Sequence, residues 1–98
     1  MSDKYTAKIL ENKNIFIIFY SDWCGYCSKS IDLLKKNDMA FKGYKIDKIN
    51  GGIRTLLCNL TKSKAITGFN EDHKTRPIIF RNGKYIGGYH ELLNEFKP

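Results

Sequence analysis

No apolar run in this 98-residue chain approaches the roughly 18 residues that a membrane-spanning helix needs; the longest, Ile15 to Tyr20, stops at six. Met1 to Tyr5 lack the apolar core of a secretory leader, so a secreted product is not expected. Cysteine is sparse and odd in number. Three thiols do not make the dense, even set of a small extracellular disulfide scaffold, and a reducing, cytoplasmic setting is expected. No low-complexity tract and no internal repeat is present. Acidic residues are the minority, 10 against 17 Lys and Arg, for a net charge of +7. The lysines are scattered rather than clustered, so acidic protein surfaces or small anions are better expected partners than nucleic acid. The composition, 42% apolar and 28% charged, suits one globular domain over residues 1–98.

The chain is organised around Asp22-Trp23-Cys24-Gly25-Tyr26-Cys27-Ser28. Ile15 to Tyr20, rich in β-branched and aromatic residues, predicts a buried strand just before it. Ile31, Leu33 and Leu34, set among Lys29, Asp32, Lys35 and Lys36, predict an amphipathic helix over about 25–37 just after it. The C-x-x-C pair therefore sits where a helix begins. Unpaired N–H groups and the helix dipole favour thiolate over thiol there, and a first-turn cysteine can ionise well below its free pKa of about 8.5. Cys24 is expected as the nucleophile. Cys27, one turn inward and screened, is expected as the resolving thiol.

Elsewhere the pattern predicts a short helix over 3–12 capped by Ser2 or Asp3, a turn at Asn37-Asp38 and a strand from Phe41 to Asp47. Ile53, Leu56, Leu57 and Leu60 predict a third helix ending near Ala65, followed by a polar, exposed loop from Thr67 to Lys74. A strand at Pro77 to Phe80, an Asn82-Gly83 hairpin and a return at Tyr85-Ile86 come next, and a closing helix runs from Tyr89 to Phe96. The expected class is α/β, a mixed four-stranded sheet flanked by helices. Cys58, near Leu57, is expected to be buried and inert. His73 and His90 are expected as surface residues, with no metal site, since no second paired ligand motif is present.

Trp23-Cys24-Gly25-Tyr26-Cys27, then Thr75-Arg76-Pro77, then Asn82-Gly83-Lys84-Tyr85-Ile86-Gly87-Gly88 followed by Glu91-Leu92, resemble a dithiol glutaredoxin of the thioredoxin superfamily over almost the whole chain. The resemblance implies a thioredoxin-like fold and a glutathione-dependent thiol–disulfide oxidoreductase. Glutathione would be the reductant and disulfide-containing or glutathionylated proteins the partners. A monomer is expected, without membrane or nucleic-acid partners and without a tightly bound cofactor. The resemblance also implies a cis Arg76-Pro77 bond whose preceding backbone pairs with an extended peptide. The amides of Tyr89 and His90 after Gly88 would meet the γ-glutamyl carboxylate, Glu91 its amino group, and Tyr26 would border the groove. A tight turn at Gly87-Gly88 and a dipole-complementing Glu91 are the purely structural readings.

Three departures from the family pattern bear on function. Gly25 stands where Pro is frequent, Ser21 where a Lys or Arg is frequent, and Trp23 is reminiscent of thioredoxins. Arg76 or Lys29 could supply the missing cation. Gly25 opens an alternative, a [2Fe-2S] cluster carried between two protomers on Cys24 of each and two glutathione thiols, although Cys27 argues against it. Trp23 and Ser21 open another, a dithiol reductant recycled by a thioredoxin-type reductase.

Overall fold

The computed structural model describes residues 4–11, 14–62, 68, 69, 73 and 75–96, and side chains from residue 7 onward. The elements run α1 (Lys4–Glu11), β1 (Phe16–Tyr20), α2 (Gly25–Lys36), β2 (Phe41–Lys45), a 3₁₀ turn (Ile46–Lys48), α3 (Gly52–Lys62), β3 (Ile78–Arg81), β4 (Lys84–Gly87) and α4 (Tyr89–Glu95). The expected order of elements is reproduced. The proposed cap at Ser2 or Asp3, the last residue of the helix expected over 3–12, the helix end near Ala65 and most of the loop before Thr75 lie outside the described residues.

The sheet has strand order β2-β1-β3-β4, with β1 parallel to β2 and antiparallel to β3. Alternation along β1 explains why it is central and fully apolar. Ile17 and Phe19 point to one face, with Ile9 of α1, Leu56 and Leu60 of α3, Ile78 and Phe80. Phe16 and Ile18 point to the other, with Leu34 of α2, Ile79 and Leu92 of α4. A strand buried on both faces has no place for a polar residue, which is why six consecutive apolar residues precede the motif.

Local chemistry sets the connections. Asp38, at φ 57°, ends α2 in the left-handed region, and Met39 N–H bonds back to Leu34 C=O at 2.9 Å. Asn82 and Gly83, at φ 56° and 74°, give the two-residue hairpin turn that the Asn-Gly pair favours. β2 is shorter than expected, because Ile46 turns fully into the core and the chain leaves the sheet edge in a 3₁₀ turn carrying Asp47. Between Ile79 and Phe80 the β3–β4 register shifts, pairing Ile79 with Gly87 and Phe80 with Tyr85. Such a bulge beside a site re-aims side chains. Here Tyr85 packs toward the α1/α3 face and Ile86 toward the other.

Candidate active site

Trp23 takes φ 60° as the chain leaves β1, and Cys24, at φ −111°, is the N-cap of α2. Ser28 N–H closes the first turn on Cys24 C=O at 3.1 Å, and Cys27 N–H donates to Cys24 Sγ at 3.2 Å. The two cysteines are disulfide-bonded, with Cα atoms 5.2 Å apart. Cys27 is buried and Cys24 half-buried, the asymmetry expected of a resolving and an attacking thiol. Once the bond is reduced, the helix N-terminus and the Cys27 N–H both favour negative charge on Cys24. Arg76-Pro77 is cis, as expected, and Arg76 C=O lies 3.9 Å from Cys24 Sγ.

Arg76 and Thr75 form a ridge between two grooves. One, of about 480 Å³, is lined by Tyr26, His73, Thr75, Arg76, Tyr85, Gly88, Tyr89, His90 and Glu91. Six of the seven residues expected around a ligand meet there. Pro77, the seventh, is buried behind, its carbonyl 3.6 Å from where a Cβ on Gly88 would stand. Gly87 and Gly88 differ in kind. Gly87 has φ 133°, and a Cβ on it would come within 2.6 Å of Glu91. At Gly88 a Cβ would meet nothing closer than 3.6 Å and would stand near Glu91 Oε1, the Pro77 carbonyl and His73 Cε1. The fold itself demands the first glycine; the second leaves room in the groove.

Glu91 Oε1 accepts from Gly88 N–H at 2.8 Å, capping its own helix. The structural reading of this carboxylate is therefore realised. Tyr26 stacks on Tyr89 with centroids 5.8 Å apart, and His90 lies 5.4 Å from Tyr26, so the first turns of α2 and α4 brace each other. Lys29 Nζ sits 5.6 Å from the Tyr26 centroid. It borders a small hollow with Gly25 and Tyr26 rather than the groove. Of the two cations considered in place of a basic residue at position 21, Arg76 alone lines the groove.

The second groove, of about 510 Å³, is lined by Ser21, Asp22, Trp23, Cys24, Asp47, Thr75 and Arg76. Among the described residues, no group of three or more His, Cys, Asp or Glu side chains could hold a metal ion.

A family model, glutaredoxin, matches residues 16–86, the stretch that contains the Cys pair and the cis proline and ends just before Gly87-Gly88. The chain belongs to the glutaredoxin family. This glutaredoxin is 46% identical over 77 residues to a probable glutaredoxin of Acanthamoeba polyphaga mimivirus, an alignment covering 79% of this chain and 73% of that one. Glutaredoxin-2 of Schizosaccharomyces pombe is 28% identical over 90 residues, 90% of this chain and 72% of that one. The fold is similar to the buckwheat glutaredoxin–glutathione complex, with TM-score 0.73, 24% identity and coverage of 94% and 74%. It also resembles a dithiolic glutaredoxin of Trypanosoma brucei brucei, with TM-score 0.70, 27% identity and coverage of 91% and 81%. A dithiol C-x-x-C pair on this fold in this family makes the protein a thiol–disulfide oxidoreductase.

Two expectations for this glutaredoxin need correction. Cys58 is exposed, not buried. α3 buries Leu56 and Leu60, one turn apart, and two residues beyond Leu56 a helical side chain points roughly opposite. His73 is not a plain surface histidine. It is half-buried, its Nδ1 is hydrogen-bonded to the Tyr85 hydroxyl, and it lines the groove. Neither His73 nor Tyr85 was a candidate from sequence. The polar loop around His73 gave no periodic signal, and the strand position of Tyr85 gave no hint of the bulge that turns it.

Proposed function

We propose that this glutaredoxin is glutathione-dependent and reduces protein disulfides and glutathione mixed disulfides through a Cys24 thiolate. The observation that carries the reading is the 480 Å³ groove beside Cys24, joined to it by the Thr75-Arg76 ridge and left open over Gly88. Its volume lies within the range of about 300–1,000 Å³ typical of small-ligand sites. Arg76, His73 and His90 bring cationic or proton-donating side chains toward an anionic tripeptide. The Tyr26–Tyr89 stack would form one wall.

In the reaction, Cys24 thiolate attacks the glutathione sulfur of a mixed disulfide. The target thiolate leaves and takes up a proton, and glutathione remains bonded to Cys24. A second glutathione thiolate attacks its partner's sulfur, releasing oxidised glutathione and regenerating the Cys24 thiolate. With a protein disulfide, Cys27 attacks Cys24 in the mixed intermediate and frees the target. Glutathione then reduces the Cys24–Cys27 bond. The buried Cys27, donating its N–H to Cys24 Sγ at 3.2 Å, is close enough for that step.

Steady-state reduction of a glutathione mixed disulfide by glutathione tests this in the parent, Cys24→Ser and Cys27→Ser proteins. Activity is expected in the parent and in Cys27→Ser and is expected to vanish in Cys24→Ser. A parent that turns over with a thioredoxin-type flavoenzyme but not with glutathione overturns the reading.

A further inference from the structure

The second groove holds the chain's single tryptophan, and that side chain is fully exposed, at 103%. A bulky residue at φ 60° is uncommon. At Trp23 that turn swings the indole away from the core and to the rim beside Cys24. Asp22 is paired with Lys45 at 3.2 Å, whereas Asp47 makes no hydrogen bond or ion pair among the described residues. Ser21, about nine-tenths buried, also lines the groove, and its hydroxyl has no partner among the described residues. Arg76 stands on the ridge shared with the first groove.

An open aromatic face and a carboxylate without a partner among the described residues, lining one groove, are the combination a guanidinium fits. Its plane stacks on the indole while its N–H groups bond the carboxylate. We propose that this groove receives the polypeptide flanking a target disulfide and favours an arginine beside the target cysteine. The net charge of +7 works in the opposite sense, since long-range attraction would favour acidic peptides. The sign of the preference therefore separates recognition by the groove from attraction by the whole protein. The inference rests on disulfide exchange at Cys24 but not on glutathione.

The test is single-turnover exchange between fully reduced protein and peptide disulfides, without glutathione. Cys24 thiolate attacks the peptide disulfide and one peptide thiolate leaves. Cys27 then attacks Cys24, releasing the second, so two electrons pass from the protein dithiol to the peptide. Two peptides are compared that differ only in carrying Arg or Glu next to one cysteine. The Arg peptide is expected to react about fivefold faster, in keeping with one exposed cation–π contact and one exposed ion pair. Asp47→Asn and Trp23→Ala are each expected to bring the ratio toward one, and Asp47→Lys to invert it. Equal rates, a faster Glu peptide in the parent, or a ratio unmoved by Asp47→Lys overturns the proposal. So does a protein that turns over a glutathione mixed disulfide but exchanges with neither peptide. A protein that shows the ratio yet fails with glutathione loses the glutathione reading and keeps the groove.

Discussion

Tyr85 ties the first groove to the core. Its ring packs edge-on against Phe69 at 5.2 Å and Phe80 at 5.8 Å, while its hydroxyl meets His73. Burial, and secondarily the nearby Glu91 carboxylate, raise its pKa above the ordinary 10.0. The unfolded phenol ionises first as pH rises, so the stability that Tyr85 contributes is intact below pH 10 and is lost as pH climbs through the folded value. Denaturant unfolding between about pH 8 and 11 should show the parent losing stability more steeply than Tyr85→Phe at the alkaline end. Parallel profiles would remove this linkage. The two glycines next door make a contrasting pair. Gly87→Ala meets both a left-handed φ and Glu91, and should destabilise by about 1–3 kcal/mol. Gly88→Ala should leave the melting temperature unchanged while raising KM for a glutathione mixed disulfide severalfold, because its methyl stands in the groove. A Gly88→Ala protein with unaltered KM would remove glutathione from this place.

At the scale of elements, α3 shows what sequence pattern can and cannot decide. Leu56→Ala, removing a fully buried side chain, should destabilise by about 2–5 kcal/mol, whereas Cys58→Ala should stay within about 0.5 kcal/mol. Chemical denaturation checks both, and similar losses would put Cys58 back in the core. The helix was legible because Ile53, Leu56, Leu57 and Leu60 repeat at its period. Cys58 departs from expectation because a neighbour of Leu57 in sequence lies on another face of the helix from Leu56 and Leu60. The same logic runs through the molecule. β1, α2 and the Asn82-Gly83 turn follow from local pattern and turn chemistry, as does Cys24 at the helix N-cap. The His73–Tyr85 contact depends on a bulge in β4 and a loop meeting across the groove. No local preference encodes that meeting. The second groove was hidden for a similar reason, since Trp23 and Asp47 are far apart in sequence and meet because β1 pairs with β2 and Asp22 with Lys45.

The whole molecule carries +7 on a fold with a radius of gyration of 12.5 Å. The screening length is about 10 Å at 0.1 M salt and about 30 Å at 0.01 M. In dilute salt, every surface lysine can therefore act on an approaching anion; near physiological salt, only charges around the site can. Reduced protein should accordingly react with oxidised glutathione, an anionic disulfide, at a second-order rate that falls as salt is raised. Its rate with an uncharged small disulfide should stay nearly flat. Stopped-flow measurement of both across the same salt series decides the matter. If both rates change alike, salt is acting on Cys24 itself. If neither changes, the excess of basic residues is too dispersed to steer a ligand, and any selectivity for anions must come from Arg76, His73 and His90 at contact range. The arginine-flanked peptide provides the opposing case. Whole-protein repulsion weakens with salt while the contacts in the second groove persist, so its rate should rise over the range in which that of oxidised glutathione falls.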